Sequence, residues 1–137
     1  MLKKICMLVT LCIAVIIIAC GCRIVESDTE EKNDVDYTVA SYDDVPEEVR
    51  KIIDEKKENE FSTIISDKEN TYIVVGYGKR NTGGYTIKLK DIFESSTDVF
   101  VRLEFEGPKQ SEEKDMESYP FIIIKIEYTQ KNINVMK

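Results

Sequence analysis

The chain has 137 residues, a formal net charge of −7, no histidine and no tryptophan, and all four of its cysteines lie within the first 22 residues. Without histidine or a downstream cysteine, a Ser-His-Asp triad, a cysteine–histidine pair and an ordinary zinc site are excluded. The acidic balance also argues against nucleic-acid binding, because the phosphate backbone needs a concentrated basic surface.

The first 22 residues have the layout of an export signal. Lys3 and Lys4 precede an apolar run from Ile5 to Ala19, and Cys20 follows directly. A charged start, an apolar middle and a small-residue exit are typical of such signals. The run is shorter than the roughly 20 residues that a permanent membrane-spanning helix needs. Residues 1–19 are therefore predicted to be a signal peptide.

The end of this signal, Ile17 to Cys20, resembles the lipobox of bacterial lipoproteins. The cysteine thiol is the nucleophile that accepts a diacylglyceryl group, and the small Ala19 before it gives the signal peptidase access. Cys20 is the predicted lipidation site, with Cys22 as the alternative. A second interpretation keeps the segment uncleaved as a single-pass anchor. Both interpretations place the rest of the chain on the outer face of the bacterial cell membrane. In the lipoprotein interpretation, an anchor of two or three acyl chains would hold it firmly.

Residues 20–36 are predicted to be the lipidated cysteine followed by a flexible tether. The stretch from Arg23 to Asp36 is polar and acid-rich, has no apolar periodicity, and cannot bury enough surface to fold. Residues 37–137 are long enough for one domain with its own core. Once Lys3 and Lys4 are removed with the signal, 17 basic residues remain against 26 acidic ones, so the exported part carries a net charge of −9.

One amphipathic helix is predicted from Val45 to Glu58, near the start of this domain. Asp43 and Asp44 are expected to cap its N-terminus, and Pro46 suits its first turn. Apolar residues follow at helical spacing and form one stripe, made of Val45, Val49, Ile52 and Ile53. Such a stripe needs a sheet to cover it.

The chain after this helix is predicted to be β-structure. The expected strands, with a short one before the helix, are Tyr37–Ala40, Phe61–Ser66, Thr71–Tyr77, Tyr85–Lys90, Val99–Glu106, Pro120–Tyr128 and Asn132–Val135. The strand Thr71–Tyr77 is apolar nearly throughout, as in a strand covered on both faces. The strand Pro120–Tyr128 is the most apolar and is expected to be central. The predicted fold class is α+β, predominantly antiparallel, with about six or seven strands in a sheet or sandwich and one helix.

A glycine-rich segment, GYGKRNTGGY from Gly76 to Tyr85, separates two of these strands. Glycine permits a positive φ and a close approach of the backbone. One interpretation is a hairpin whose glycines only satisfy turn geometry. The other is a partner-binding loop with a basic, hydrogen-bonding tip on an acidic domain. Its candidate contact residues are Gly78, Lys79, Arg80, Asn81, Thr82, Gly83, Gly84 and Tyr85.

The order of these features is similar to the C-terminal domain family of PrcB-type protease-complex subunits. The features are a Pro-Glu-Glu helix, an aliphatic strand, the Thr82-Gly83-Gly84-Tyr85 core preceded by Gly76 and Gly78, a Gly-Pro loop and a Tyr-Pro-Phe-Ile-Ile-Ile-Lys strand. The resemblance covers Tyr37 to Val135. It implies an exported, often lipid-anchored protein that associates with or stabilises a secreted serine protease and is not itself catalytic.

A shorter resemblance suggests an alternative. The segment from Asn81 to Tyr85 is similar to the Asn-Pro-Thr-Thr-Gly-Tyr loop of chagasin-like inhibitors, which insert loops into the active-site cleft of papain-type proteases. The proline of that motif is absent here, as are the tryptophans of the companion loops. This resemblance implies a protease inhibitor.

Paired carboxylates offer an enzymatic alternative. Glu104 and Glu106 lie on one face of a predicted strand, and a glycosidase needs two carboxylates about 5–10 Å apart, one of them with a raised pKa. Strand alternation, however, puts both on the face opposite the core, where a solvated polar surface is the simpler explanation.

The sequence therefore predicts an extracytoplasmic protein-binding module without a metal or cofactor, whose partners are the lipid bilayer and an exported protein such as a serine protease. A carboxylate-based cell-wall hydrolase is the least favoured alternative.

Overall fold

A computed structural model describes residues 1–4, 32–109 and 116–137 of the chain. The apolar run of the predicted signal, both lipidation candidates (Cys20 and Cys22) and the tether up to residue 31 lie outside these ranges. Within them, no helix has the length and apolar character that crossing a bilayer requires.

The described residues from 32 onwards form eight strands and one α-helix. The elements are β1 (Asn33–Asp34), β2 (Tyr37–Ala40), α1 (Glu47–Lys56), β3 (Glu60–Ser66), β4 (Asn70–Tyr77), β5 (Thr86–Glu94), β6 (Asp98–Glu106), β7 (Phe121–Glu127) and β8 (Asn132–Met136). A short 3-10 helix, Tyr42–Asp44, precedes α1. The strands make two four-stranded sheets, one in the order β1-β5-β6-β8 and the other in the order β2-β7-β4-β3.

The two sheets and the helix are stacked in three layers. One core lies between the sheets, where Ile73, Val75 and Ile124 of the second sheet meet Val99 and Val101 of the first. A second core lies between the outer face of the second sheet and α1, where buried residues of the helix and the sheet meet; its members are Val45, Val49, Ile53, Tyr72, Val74 and Ile123. The central strands of the second sheet, β4 and β7, are therefore covered on both faces.

This arrangement confirms the main features of the predicted fold. Alternate residues of β4 point to the two cores, as expected for a strand that is apolar throughout. The Pro120–Tyr128 strand, observed as β7, lies between β2 and β4, which is the interior position predicted for it. The pairing is antiparallel apart from β6 and β8, which run parallel.

Three local predictions differ from the structure. The helix is shorter than predicted, and its N-cap residue is Pro46 without a side-chain hydrogen bond. The expected caps, Asp43 and Asp44, lie instead in the 3-10 helix, where Asp44 accepts a hydrogen bond from Ser41. The eighth strand, β1, falls within the segment predicted as tether, because Asn33 and Asp34 pair with the end of β5. The folded domain thus begins before Tyr37.

Candidate binding site at the 78–85 loop

The loop from Gly78 to Tyr85 carries the chain from one sheet to the other. It leaves the end of β4, which pairs with β3 and β7, and enters β5, which pairs with β1 and β6. Because β4 and β5 do not pair with each other, the hairpin interpretation is wrong. The glycines allow the chain to cross from one sheet to the other, and they do not form a tight turn between two paired strands.

Two glycines of the loop have backbone conformations that other residues rarely adopt. Gly78 has a φ of 81° and Gly84 a φ of 85°. A Cβ atom at Gly78 would also lie 2.9 Å from the backbone nitrogen of Glu60 and 3.0 Å from the carbonyl carbon of Asn59. The loop therefore begins with a backbone that passes directly against the start of β3, which only glycine permits.

The middle of the loop is fixed to the segment that precedes β7. The amide of Arg80 donates to the carbonyl oxygen of Ser118 at 2.8 Å, and the amide of Ser118 donates back to Arg80 at 2.9 Å. The hydroxyl of Ser118 also donates to the carbonyl oxygen of Thr82 at 2.7 Å. These three hydrogen bonds give the loop a defined conformation without making it part of a sheet.

The side chain of Arg80 folds back on the domain. Its guanidinium carbon lies 4.1 Å from the ring centroid of Tyr77 and 5.4 Å from that of Tyr85, and one terminal nitrogen donates to the carbonyl oxygen of Tyr77 at 3.0 Å. Tyr77 also packs on Phe105, with ring centroids 4.5 Å apart. Arg80 is half-buried, so it supports the base of the loop and is not a free charge at its tip.

Lys79 is exposed, but its charge is paired. Its ammonium group lies 2.9 Å from a carboxylate oxygen of Glu117, and this hydrogen bond raises the pKa of Lys79 above its ordinary value. Its backbone amide donates to the carbonyl oxygen of Glu58 at 3.1 Å. Of the two cations predicted at the tip, Lys79 is therefore paired with Glu117, and Arg80 is packed against the rings of Tyr77 and Tyr85.

The surface that the loop presents is mainly polar and uncharged. Asn81 and Gly84 are exposed, while Thr82, Gly83 and Tyr85 are partly buried. Sequence reasoning placed these residues together correctly, since they are consecutive. It did not find Ser118, Glu117 or Phe105, which support the loop from distant positions in the chain, and no local motif marks them.

The candidate catalytic carboxylates lie elsewhere, on the outer face of the first sheet. A carboxylate oxygen of Glu106 is 2.7 Å from the ammonium of Lys88, and one of Glu104 is 2.5 Å from that of Lys90. The hydrogen bond from Lys88 lowers the pKa of Glu106 below its ordinary value of 4.5. A general acid needs the opposite shift, so this pair has the character of a surface ion-pair array.

The fold and the loop define a helix-covered β-sandwich with a fixed inter-sheet loop. The family model described as PrcB C-terminal matches residues 71–127, which span β4 to β7 and include the whole loop. The predicted resemblance is thereby confirmed over this segment, and a domain of this family indicates a subunit associated with a protease complex. Comparison with curated proteins gives no match, and comparison with solved structures gives none either.

Replacing Gly78 by alanine tests the close approach at the start of the loop. We expect Gly78→Ala to lower the free energy of unfolding by about 1–3 kcal/mol, because a left-handed backbone and a contact with the start of β3 are both penalised. Gly83→Ala is the matched control, since Gly83 is not among the glycines with positive φ. Urea unfolding of the full chain measures both variants, and equal losses would contradict the assignment of this role to Gly78.

The Lys88–Glu106 pair predicts a particular pH dependence. Because folding lowers the pKa of Glu106, its stabilising contribution is present above the ordinary value of 4.5 and is lost as the pH falls through the folded-state pKa. Glu106→Gln should therefore reduce stability at about pH 7 and have a much smaller effect at about pH 3. Urea unfolding at both pH values tests this, with Glu127→Gln as a control at an exposed carboxylate that has no ion pair among the described residues. A Glu106→Gln effect that is unchanged at low pH would contradict the shift.

Proposed function

We propose that this protein is a membrane-anchored extracytoplasmic lipoprotein whose folded domain binds an exported protease and stabilises or escorts it, without being a catalyst itself. The observation that carries the proposal is the PrcB C-terminal match over residues 71–127. The matched segment contains the crossing loop and the four strands β4 to β7. This makes the loop the first candidate for the contact with the protease.

The geometry of the loop supports this role. Its backbone is held by the hydrogen bonds to Ser118, and its base is packed by Arg80 against the rings of Tyr77 and Tyr85. A loop ordered before binding loses little conformational entropy when a partner docks. The exposed Asn81 amide and the backbone around Gly84 then offer hydrogen-bonding groups to a partner surface. The charges of Lys79 and Arg80, already engaged within the domain, have a supporting role.

The proposed anchor is a lipid attached to Cys20. The apolar run before it is too short for a standard spanning helix, and the residues from Ile17 to Cys20 have the lipobox pattern. An acylated N-terminus would place the domain at the outer face of the membrane, where secreted proteases pass. The proposal thus joins a site of attachment at one end of the chain to a binding surface on the folded domain.

Inhibition of a protease by loop insertion is the second candidate function. The observation that favours it is the exposure of Asn81 at the tip of a loop with a fixed backbone, which resembles the way inhibitors present a loop to a cleft. Mixing the protein with papain and with subtilisin distinguishes the two functions. Stoichiometric loss of proteolytic rate indicates inhibition, whereas a bound protease with full activity indicates an accessory subunit.

A photo-crosslinking amino acid at position 81 tests the docking surface. The full chain that carries it is expressed in the bacterium that naturally produces the protein. We expect crosslinks to an exported protease, because Asn81 is exposed on the loop and its charge-neutral side chain has no role in holding the fold of the described residues. The same probe at Asn33 is the control, since Asn33 is also exposed but lies beside Glu94 at the far end of β5. Asn81→Arg should then weaken capture of the identified protease by about tenfold or more, and Asn33→Arg should not.

Substitution is preferable to deletion in this experiment. The carbonyl oxygen of Thr82 accepts a hydrogen bond from Ser118, so removing residues 81–84 would disturb the connection between the two sheets. Unchanged thermal unfolding of Asn81→Arg verifies that the fold is intact. Crosslinks that form only at position 33, or that reach no protease from position 81, would refute the loop as the docking surface.

Metabolic labelling with an alkyne fatty acid tests the anchor. The full chain should incorporate the label, Cys20→Ser should abolish it, and Cys22→Ser should leave it in place. Loss of label in Cys22→Ser alone would move the attachment to Cys22. A full chain that takes up no label would contradict the lipoprotein assignment.

A further inference from the structure

Strand β3 is the least protected edge of the two sheets. It has seven residues, pairs with β4 on one side in an unbroken register, and contains no lysine, arginine, proline or glycine. Among the described residues, no backbone group outside β4 hydrogen-bonds to it. Natural sheets usually block an edge of this length with charges, a proline or a bulge, because its free backbone groups can pair with another strand.

The remaining edges are shorter or are interrupted. β1 has two residues and β2 has four. The part of β5 that β1 leaves uncovered carries Lys88 and Lys90 and contains a register shift between Leu89 and Asp91. β8 has five residues, two of which are asparagine. Among the edge strands of the described residues, β3 alone therefore combines length, regularity and a nearly uncharged sequence.

One apolar side chain of β3 is left open to solvent. Ile64 is 45% exposed, although it stands opposite the fully buried Ile73 of β4. On the other face of the strand, Phe61 and Ile65 are partly buried and pack into the core beneath α1. The face of β3 beneath α1 thus continues the apolar surface of the sheet up to its edge, and Ile64 is the one apolar residue of the opposite face.

We propose that this edge pairs with β3 of a second copy of the chain. A two-fold axis that relates antiparallel neighbouring strands is perpendicular to the sheet, and it keeps each face of the strand on its own side. Residues that face each other across the interface must then lie on the same face of the strand. Their numbers are therefore both odd or both even. An axis through Thr63 is the arrangement that pairs all seven residues of the strand, and it extends the second sheet to eight strands.

The sequence of β3 is self-complementary in this register. Phe61 of each copy faces Ile65 of the other, which is an aromatic–β-branched pair of the kind that stabilises sheets. Ser62 faces Ile64, and the two Ile64 side chains are diagonal neighbours that shield each other from water. The exposed apolar residue of the single copy is thereby covered by its own counterpart.

The charges are also compatible with this pairing. Glu60 is the single charged residue of the strand, and its carboxylate is already paired with the Lys137 ammonium of the same chain. In the two-fold register it faces Ser66 of the second copy, so no like charges stand opposite each other. This matters in a protein of net charge −7, in which random contacts between copies are repulsive.

Sedimentation equilibrium of the full chain, in a neutrally buoyant detergent, tests the proposal. We expect a reversible dimer whose dissociation constant rises about tenfold or more in Ser62→Lys and in Ile64→Glu, because each puts a charge opposite an apolar or polar neighbour at the two-fold interface. Both positions are exposed, so the fold should be preserved. Thr38→Lys, which makes the same change of charge as Ser62→Lys but on the exposed edge strand β2, should leave dimerisation unaltered.

The double variant, which combines Ser62→Lys with Ile64→Glu, tests the register itself. The lysine introduced at position 62 of each copy would then face the glutamate introduced at position 64 of the other, and dimerisation should recover relative to either single variant. A monomer at all concentrations would refute the proposal, and so would a dimer that neither single variant weakens. A photo-crosslinker at position 62 that captures only a different protein would also overturn it, by showing that this edge accepts a partner strand instead.

Discussion

The burial of two central strands, β4 and β7, on both of their faces is the constraint on which the rest of this structure depends. β4 and β7 must supply apolar side chains to the core between the sheets and to the core beneath α1, and their alternate residues do so. Burying a large aliphatic side chain contributes about 1.5–3 kcal/mol, so these two strands contain much of the stabilising surface. The helix is needed because the apolar outer face of the second sheet would otherwise be exposed.

The form of the 78–85 loop follows from that layering. β4 is committed to the second sheet and β5 to the first, so the chain between them must change layers within eight residues. The turn against the start of β3 is possible because Gly78 has no side chain. The distant Ser118 then supplies the hydrogen bonds that a hairpin partner would have given. The same residues that make the crossing possible thus make the loop a defined surface.

Much of this could be predicted from residue patterns, and the remainder depends on contacts between distant residues. The apolar run of β4 predicted a strand covered on both faces, and the alternation around Glu104 and Glu106 placed them away from the core. The distinction between a hairpin and a crossing required knowledge of which strands pair, which no local pattern encodes. The same limit applies to Arg80, whose tyrosine neighbours are close in sequence but whose backbone partner, Ser118, is 38 residues away.

The position of β1 determines which end of the domain lies next to the N-terminal segment. Asn33 pairs with Glu94, at the last residue of β5, whereas the crossing loop enters β5 at its first residue, Thr86. Nine residues of strand separate the two points by about 30 Å. A chain attached through the segment before β1 would therefore carry the loop at the end of β5 that is farthest from the point of attachment.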